Sequence, residues 1–264
     1  MQSIEGKVVW VTGASSGIGE TLAYELAGKN CRLILSARDE RALQKVRDSC
    51  AKKDQVRILP LDLGDFDAMG QLVAKALSLF NEIDILINNA GISQRSLIID
   101  TEFEVYRKLI DINYLGTIAL TKALLPYFIK RNKGHFVTVT SLMGKFGSPY
   151  RSGYCGSKHA LHGFFDVLRM EHERDGVDVT LICPGFVQTN IAKNALTANG
   201  SQQKKDDVAT QNGLPVVVFA KKMIKAIERK KFEAYIGKKE TRGIYLKRFF
   251  PKLLHKAVLR SQVR

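Results

Sequence analysis

The chain has 264 residues, 45% of them hydrophobic and 25% charged, with a net charge of +15. These figures exclude a disordered or low-complexity chain and suit one α/β domain with a buried core. Four scattered cysteines, Cys31, Cys50, Cys155 and Cys183, contain no CxxC pair. That argues against a disulfide framework or a metal site and for a reducing, cytoplasmic setting. No uninterrupted apolar run of 18 residues is present, so no transmembrane helix is expected, and the N-terminus lacks the layout of a signal peptide.

In chain order, Lys7–Thr12 reads as a buried strand and Gly17–Gly28 as a helix. Cys31–Ser36 is a second strand, Glu40–Lys52 a basic helix, and Val56–Pro60 a third strand. Asp65–Phe80 has apolar residues at helical spacing, and Ile83–Ile87 is a strand again. Residues 102–131 read as two successive helices. His135–Thr140 and Asp178–Cys183 are further strands, with a long helix over 152–174 between them. A helix over 215–230 and a strand at Phe232–Ile236 follow a polar stretch, 184–214. Strands without period-2 alternation, separated by helices, predict a parallel sheet covered on both faces, the doubly wound Rossmann architecture in a single domain.

Gly13, Ser15, Ser16, Gly17, Ile18 and Gly19 stand in a GxxxGxG turn between the first strand and its helix. Glycines let a backbone approach a ligand closely, and the free N–H groups of a helix start favour phosphate. At the end of the second strand the sequence reads Ser36-Ala37-Arg38-Asp39. Arg38 suits a ribose 2′-phosphate and favours NADP over NAD. Asp39 is the competing reading for a 2′-hydroxyl, but its position also fits a helix N-cap.

Tyr154 and Lys158 stand at i and i+4, on one face of a helix. An ammonium beside a phenol lowers the phenol pKa, and such a tyrosine can exchange a proton with a carbonyl or alcohol oxygen. Ser141 falls just past a strand, at the sheet edge where α/β proteins bind ligands, and its hydroxyl could bond the substrate oxygen.

At this point the chain resembles the short-chain dehydrogenase/reductase family over about residues 4–237. Thr12–Gly19 is similar to its TGxxxGIG, and Asn88-Asn89-Ala90-Gly91 to its NNAG. Asn113, Ser141, Tyr154 and Lys158 resemble its tetrad, and Pro184-Gly185 and Thr189 its segment after the sixth strand. The resemblance implies a seven-stranded, mostly parallel sheet and an enzyme acting on a CH–OH group. Tyr154 is then the general acid/base. Lys158 binds the nicotinamide ribose, Ser141 polarises the substrate oxygen, and Asn113 supports a water relay to Lys158. Asp62 and Leu63 would meet the adenine, Asn89 its ribose, and Ala90 and Gly91 the same cofactor edge. Ile18 would lie near the pyrophosphate. Pro184, Gly185, the Val187 backbone and the Thr189 hydroxyl would meet the nicotinamide end.

Residues 186–214 resemble the family's substrate lid. Phe186, Ile191, Leu196 and Leu214, with Met143, Phe146 and Tyr150, suggest an apolar wall and a lipophilic carbonyl or alcohol. Residues 238–264 form a basic tail with nine Lys/Arg and one acid, Glu240. Leu246, Phe249, Phe250, Leu253, Leu254, Ala257 and Val258 recur at helical spacing, beside a Lys252, Lys256, Arg260 stripe. An amphipathic helix of this kind meets a membrane surface, through 244–264, or the partner subunit of a homo-oligomer. No nucleic-acid motif is present. The reading from a different class is a silent dinucleotide-sensing protein, which would have no need of the proton-transfer set.

Overall fold

Among the described residues, seven strands make one sheet in the order β3-β2-β1-β4-β5-β6-β7. They are β1 Val8–Thr12, β2 Arg32–Ser36, β3 Val56–Ile58, β4 Ile85–Asn88, β5 Gly134–Val139, β6 Val177–Pro184 and β7 Glu233–Ile236. Every pairing is parallel, not merely most of them. The computed structural model describes residues 3–261. Residues 1–2 and 262–264, the last three of the basic tail, lie outside the described residues.

The strand sequences explain the burial. In β1, VVWVT is buried at every position, as a sheet covered on both faces requires. Val9 and Val11 face a core layer shared with Leu22, Leu26, Phe219 and Met223. Trp10 faces the opposite layer with Leu120, Phe128 and Phe165, and its Nε1–H donates to Ser36 Oγ at 2.8 Å.

The helices are α1 Gly17–Ala27, α2 Glu40–Asp48, α3 Met69–Phe80, α4 Phe103–Ile110, α5 Gly116–Lys130, α6 Ser152–His172, α7 Val208–Gln211, α8 Val216–Glu228, α9 Gly243–Phe249 and α10 Pro251–Arg260. Most boundaries shift by one or two residues, and two helix boundaries shift by four. The basic helix stops at Asp48, and a short 3₁₀ turn, Lys53–Gln55, leads into β3. The third helix starts at Met69 because residues 65–68 form a turn in which Asp65 Oδ1 accepts from the Ala68 N–H at 3.3 Å.

The stretch expected as two helices is instead continuous: α4 runs into α5 through one π turn, Asp111–Leu115. The combined helix, Phe103–Lys130, has the length and composition to cross a membrane although no uncharged run marks it. Its residues Leu120, Leu124 and Phe128 are fully buried against the sheet. Gly116 is needed where this helix passes Leu63, since a Cβ there would stand 2.2 Å from the Leu63 carbonyl oxygen.

The tail folds back on the sheet edge. Pro251 opens α10 in its first turn, as proline can. Leu254 packs with Leu142, Phe146 and Cys183, supported by Leu246 and Val258. The expected single apolar face is split: Phe249, Phe250 and Leu253 point outward and are exposed. The sharp turn between α9 and α10 at Phe250 divides the pattern.

Candidate active site

In an all-parallel sheet every strand delivers its C-terminal end to the same edge, and the strand order reverses between β1 and β4. A cavity of about 870 Å³ lies there. All the sequence-predicted site residues line it except Gly19 and Asn113, which stand directly behind the lining.

The glycine turn forms the first end of the cavity. Gly13 and Gly17 have φ of 64° and 57°, a region glycine adopts freely. A Cβ on Gly13 would meet the Ala90 Cα at 2.8 Å, and one on Gly19 the Gly13 oxygen at 2.2 Å. The segment after β4 braces this turn. Asn89 Nδ2 donates to the Thr12 and Gly13 oxygens at 3.0 and 3.2 Å, and Thr12 Oγ1 accepts from the Asn89 and Ala90 N–H groups. Among the described residues no side chain caps the start of α1, which leaves its first N–H groups available to a ligand. A phosphate-bearing dinucleotide fits there.

At the β2 exit, Arg38 and Asp39 both line the cavity, and Asp39 is also an N-cap, its Oδ1 accepting from the Ala42 N–H at 3.0 Å. Asp62 lines the cavity beside Leu63 and accepts from the Gly64 N–H at 2.9 Å.

At the other end, Tyr154 stands one turn before Lys158 on α6. Lys158 Nζ lies 5.8 Å from the tyrosine ring centre and donates to the Val139 oxygen at 2.9 Å. Burial lowers the Lys158 pKa to about 8. Burial pushes the Tyr154 phenol up; a hydrogen bond with Ser141 and the charges of Arg95 and Arg151 pull against it. Ser141 is buried at the β5 exit, and its Oγ also accepts from the Met143 N–H at 3.1 Å. Asn113 sits in the π turn. Its Oδ1 accepts from Ile92 N–H at 2.8 Å, and its Nδ2 donates to Ile92 O at 2.9 Å and Ser157 Oγ at 3.0 Å. Gly91 lies between Asn113 and Lys158, and a Cβ there would come within 3.0 Å of Asn113 Oδ1 and 3.5 Å of Lys158 Nζ.

The lid and tail close the remaining sides. Phe186, Ile191 and Leu196 of the lid line the cavity together with Met143, Phe146, Leu246, Leu254 and Val258. Leu214 and Tyr150 are not among the lining residues. Leu214 is packed into the core beneath the lid, and Tyr150 takes a φ of 66° in the turn before α6.

Four site residues escaped sequence reasoning. Arg95, Arg151 and Asp207 are buried together beside Tyr154, and their separations of 56 and 112 positions give no local signal. Glu240 Oε1 accepts from the N–H groups of Phe186 at 3.1 Å and Lys238 at 3.0 Å, tying the tail to the turn after β6. The one visible hint was that Glu240 is the tail's single acid.

Fold and site together define a dinucleotide-binding α/β protein with a tyrosine, a lysine and a serine gathered at the far end of the cofactor cradle. A short chain dehydrogenase family model matches residues 7–200, and the chain belongs to that family; it is an NAD(P)-dependent oxidoreductase. It is 49% identical over 212 residues to Dehydrogenase/reductase SDR family member 7 of Homo sapiens, covering 75% of this chain and 62% of that protein. It is 38% identical over 256 residues to an SDR family protein 7-like of Drosophila melanogaster, covering 95% of this chain and 78% of that protein. The chain thus spans about three fifths of the human relative's length and more of the insect one's. Among solved structures, a short chain dehydrogenase/reductase from Burkholderia phymatum in complex with NAD superposes with a TM-score of 0.85 at 23% identity, covering 100% of this chain and 99% of that one. Levodione reductase gives 0.80 at 20% identity over 90% of this chain and 99% of its own. At such identities the likeness shows the fold.

Proposed function

We propose that the chain interconverts a lipophilic carbonyl compound and its alcohol with NADP(H), Tyr154 serving as the acid/base. The observation that carries this is the convergence of Tyr154, Ser141 and Lys158 at one end of a cavity whose other end is the glycine cradle. When bound, the nicotinamide dinucleotide gives or takes the hydride. Tyr154 passes its proton to the carbonyl oxygen, and Ser141 holds that oxygen by a hydrogen bond. Lys158, anchored on Val139 O, holds positive charge within reach of the phenol. Asn113 holds the chain beside Lys158 through Ile92 and Gly91. Arg38 in the cavity supports NADP over NAD; Asp39 lines the same cavity but has one carboxylate oxygen engaged as a helix cap. The apolar walls from lid and tail support a lipophilic substrate.

A panel of ketones and aldehydes assayed with NADPH and NADH tests this. Turnover with NADPH is expected, and Tyr154→Phe should lose it by about 10²-fold or more while still binding dinucleotide. Full turnover by Tyr154→Phe would overturn the assignment.

The same reading includes contacts beyond the substrate. Exposed Val167 and Met170 on α6 and Phe103 on α4 support a homo-oligomer, to be measured by light scattering. Exposed Phe249, Phe250 and Leu253 among Lys247, Arg248, Lys252 and Lys256 support peripheral membrane contact from the cytoplasmic side. Flotation with phosphatidylserine vesicles should be lost when the three apolar residues become aspartate.

A further inference from the structure

A second cleft, of about 440 Å³, lies between α8, β7 and the start of the tail, and it shares no lining residue with the catalytic cavity. Lys222, Lys225 and Arg229 line it from α8 and its C-cap, at i, i+3 and i+7, the spacing of one helix face. Lys231 joins them from the turn before β7. All four are exposed. Buried Ala226, Ala234 and Ile236 give the cleft an apolar base.

The charge in this cleft is uncompensated. Two neighbouring lysines are paired, Lys221 with Glu25 at 3.9 Å and Lys230 with Asp178 at 2.6 Å. Among the described residues, no carboxylate pairs with Lys222, Lys225, Arg229 or Lys231. The single acid of α8, Glu228, is turned to Lys29 at 3.8 Å. Glu233 lines the cleft, but its carboxylate accepts from Lys145 and Tyr235 and lies 3.2 Å from His162 Nδ1. Like charges along one helix face cost stability, and an anion that enters between them relieves that cost. The hydroxyls of Tyr235 and Thr241 are already spent, donating to Glu233 and to the Lys238 oxygen. The donors open to a ligand are therefore the four cations and the exposed Tyr245.

A phosphate suits this set, because its oxygens accept from several ammonium and guanidinium groups at once. A phosphomonoester carries about −1.5 to −2 at pH 7, more than a diester, so four cations favour the monoester. The position of the cleft says what carries the phosphate. Tyr245, Arg248 and Phe249 stand at i, i+3 and i+4 on α9, so the helix face that lines the cleft continues into exposed Phe249. Phe249, Phe250 and Leu253 alone bury little area, and attachment to a bilayer adds apolar burial to attraction for anionic lipid.

We propose that this cleft receives the phosphomonoester headgroup of a membrane lipid, gripped by Lys222, Lys225, Arg229 and Lys231, while Phe249, Phe250 and Leu253 enter the bilayer beside it. This rests on the membrane contact proposed above and adds to it a choice among anionic lipids.

The full chain is sedimented with phosphatidylcholine vesicles that contain either phosphatidylserine or phosphatidic acid, matched in surface potential. Vesicles with phosphatidic acid should bind several-fold more tightly. A basic residue at an anionic surface is worth roughly fivefold, so Lys225→Gln/Arg229→Gln should lose the preference and weaken binding to phosphatidic acid by about tenfold or more. Lys75→Gln/Lys122→Gln removes the same charge from α3 and α5, on the other side of the sheet from α8, and should keep the preference. Equal binding of the two lipids by the parent would overturn the headgroup site and leave the membrane contact standing. Loss of the preference in the control pair as well would reduce the cleft to general surface charge and overturn it too. Binding to neither vesicle would remove the membrane contact and the headgroup site together. Glycerol 3-phosphate offers the same phosphate without the acyl chains, and calorimetry should find it no tighter than millimolar. Micromolar binding that vanishes in Lys225→Gln/Arg229→Gln would assign the cleft to a soluble phosphoester and overturn the lipid.

Discussion

Gly19 approaches the Gly13 carbonyl so closely that a Cβ on it would stand 2.2 Å from that oxygen. The start of α1 and the glycine turn before it are therefore locked together by a missing side chain. Gly19→Ala has to push the turn aside, and overpacking of this kind costs about 1–3 kcal/mol. The melting temperature should fall, and NADPH should bind on the order of tenfold or more weakly. Thermal denaturation and a titration of NADPH fluorescence check both, and parent-like values would mean that the turn yields without consequence.

Arg38 and Asp39 both line the cavity, and Asp39 also caps α2 by accepting from the Ala42 N–H. Arg38→Ala should weaken NADPH by the worth of a charge-assisted contact, about 1.5–3 kcal/mol, and leave NADH nearly unchanged. The ratio of the two dissociation constants is the measurement. An equal effect on both cofactors would remove Arg38 from the 2′-phosphate.

Leu254 is buried against Leu142, Phe146 and Cys183. Leu254→Ala should cost about 2 kcal/mol, at the low end for a leucine because the cluster is small and near the surface. Since the same residue walls the substrate end, KM for an apolar ketone should rise while NADPH affinity holds. If KM stays fixed and stability alone drops, the tail is a brace and not a wall.

His135 gives the chain a calculable acid sensitivity. It is buried between strands with Nε2 2.8 Å from Thr180 Oγ1, and burial lowers its pKa from 6.5 to about 4. Between those values the unfolded chain binds a proton that the folded chain refuses. Its contribution to stability is therefore whole above pH 6.5 and is lost as pH falls toward 4, in total on the order of 3 kcal/mol. Denaturant midpoints across that window should decline, and the decline should be smaller in His135→Gln. Parallel curves for the two proteins would place the acid sensitivity elsewhere.

What could be read from the sequence was whatever is written locally. The buried run Val8–Thr12, the glycine turn after it and the i, i+4 pair Tyr154 and Lys158 each carry their own periodicity or spacing, and the sheet follows from repeating that pattern. The π turn at Asp111–Leu115 was not legible, because one added residue in a helical turn leaves the apolar spacing on either side intact. Arg95, Asp207 and Arg151 were not legible either, since ion pairs between a sheet-edge loop, a lid and a helix entrance leave no period in the chain. The tail was half legible. Its helical spacing was plain, but the division of its apolar residues between cavity and surface depends on the turn at Phe250 and on the position of Phe146, which spacing does not report.

The return of α9 and α10 onto the sheet edge also orders events in time. Ribosomes release a chain from its start, so the glycine cradle, Tyr154 and Lys158 have all emerged before the first residue of Gly243–Arg260. Of the described residues that line this cavity, those of α9 and α10, which wall it beside Met143 and Phe146, are therefore among the last to be synthesised.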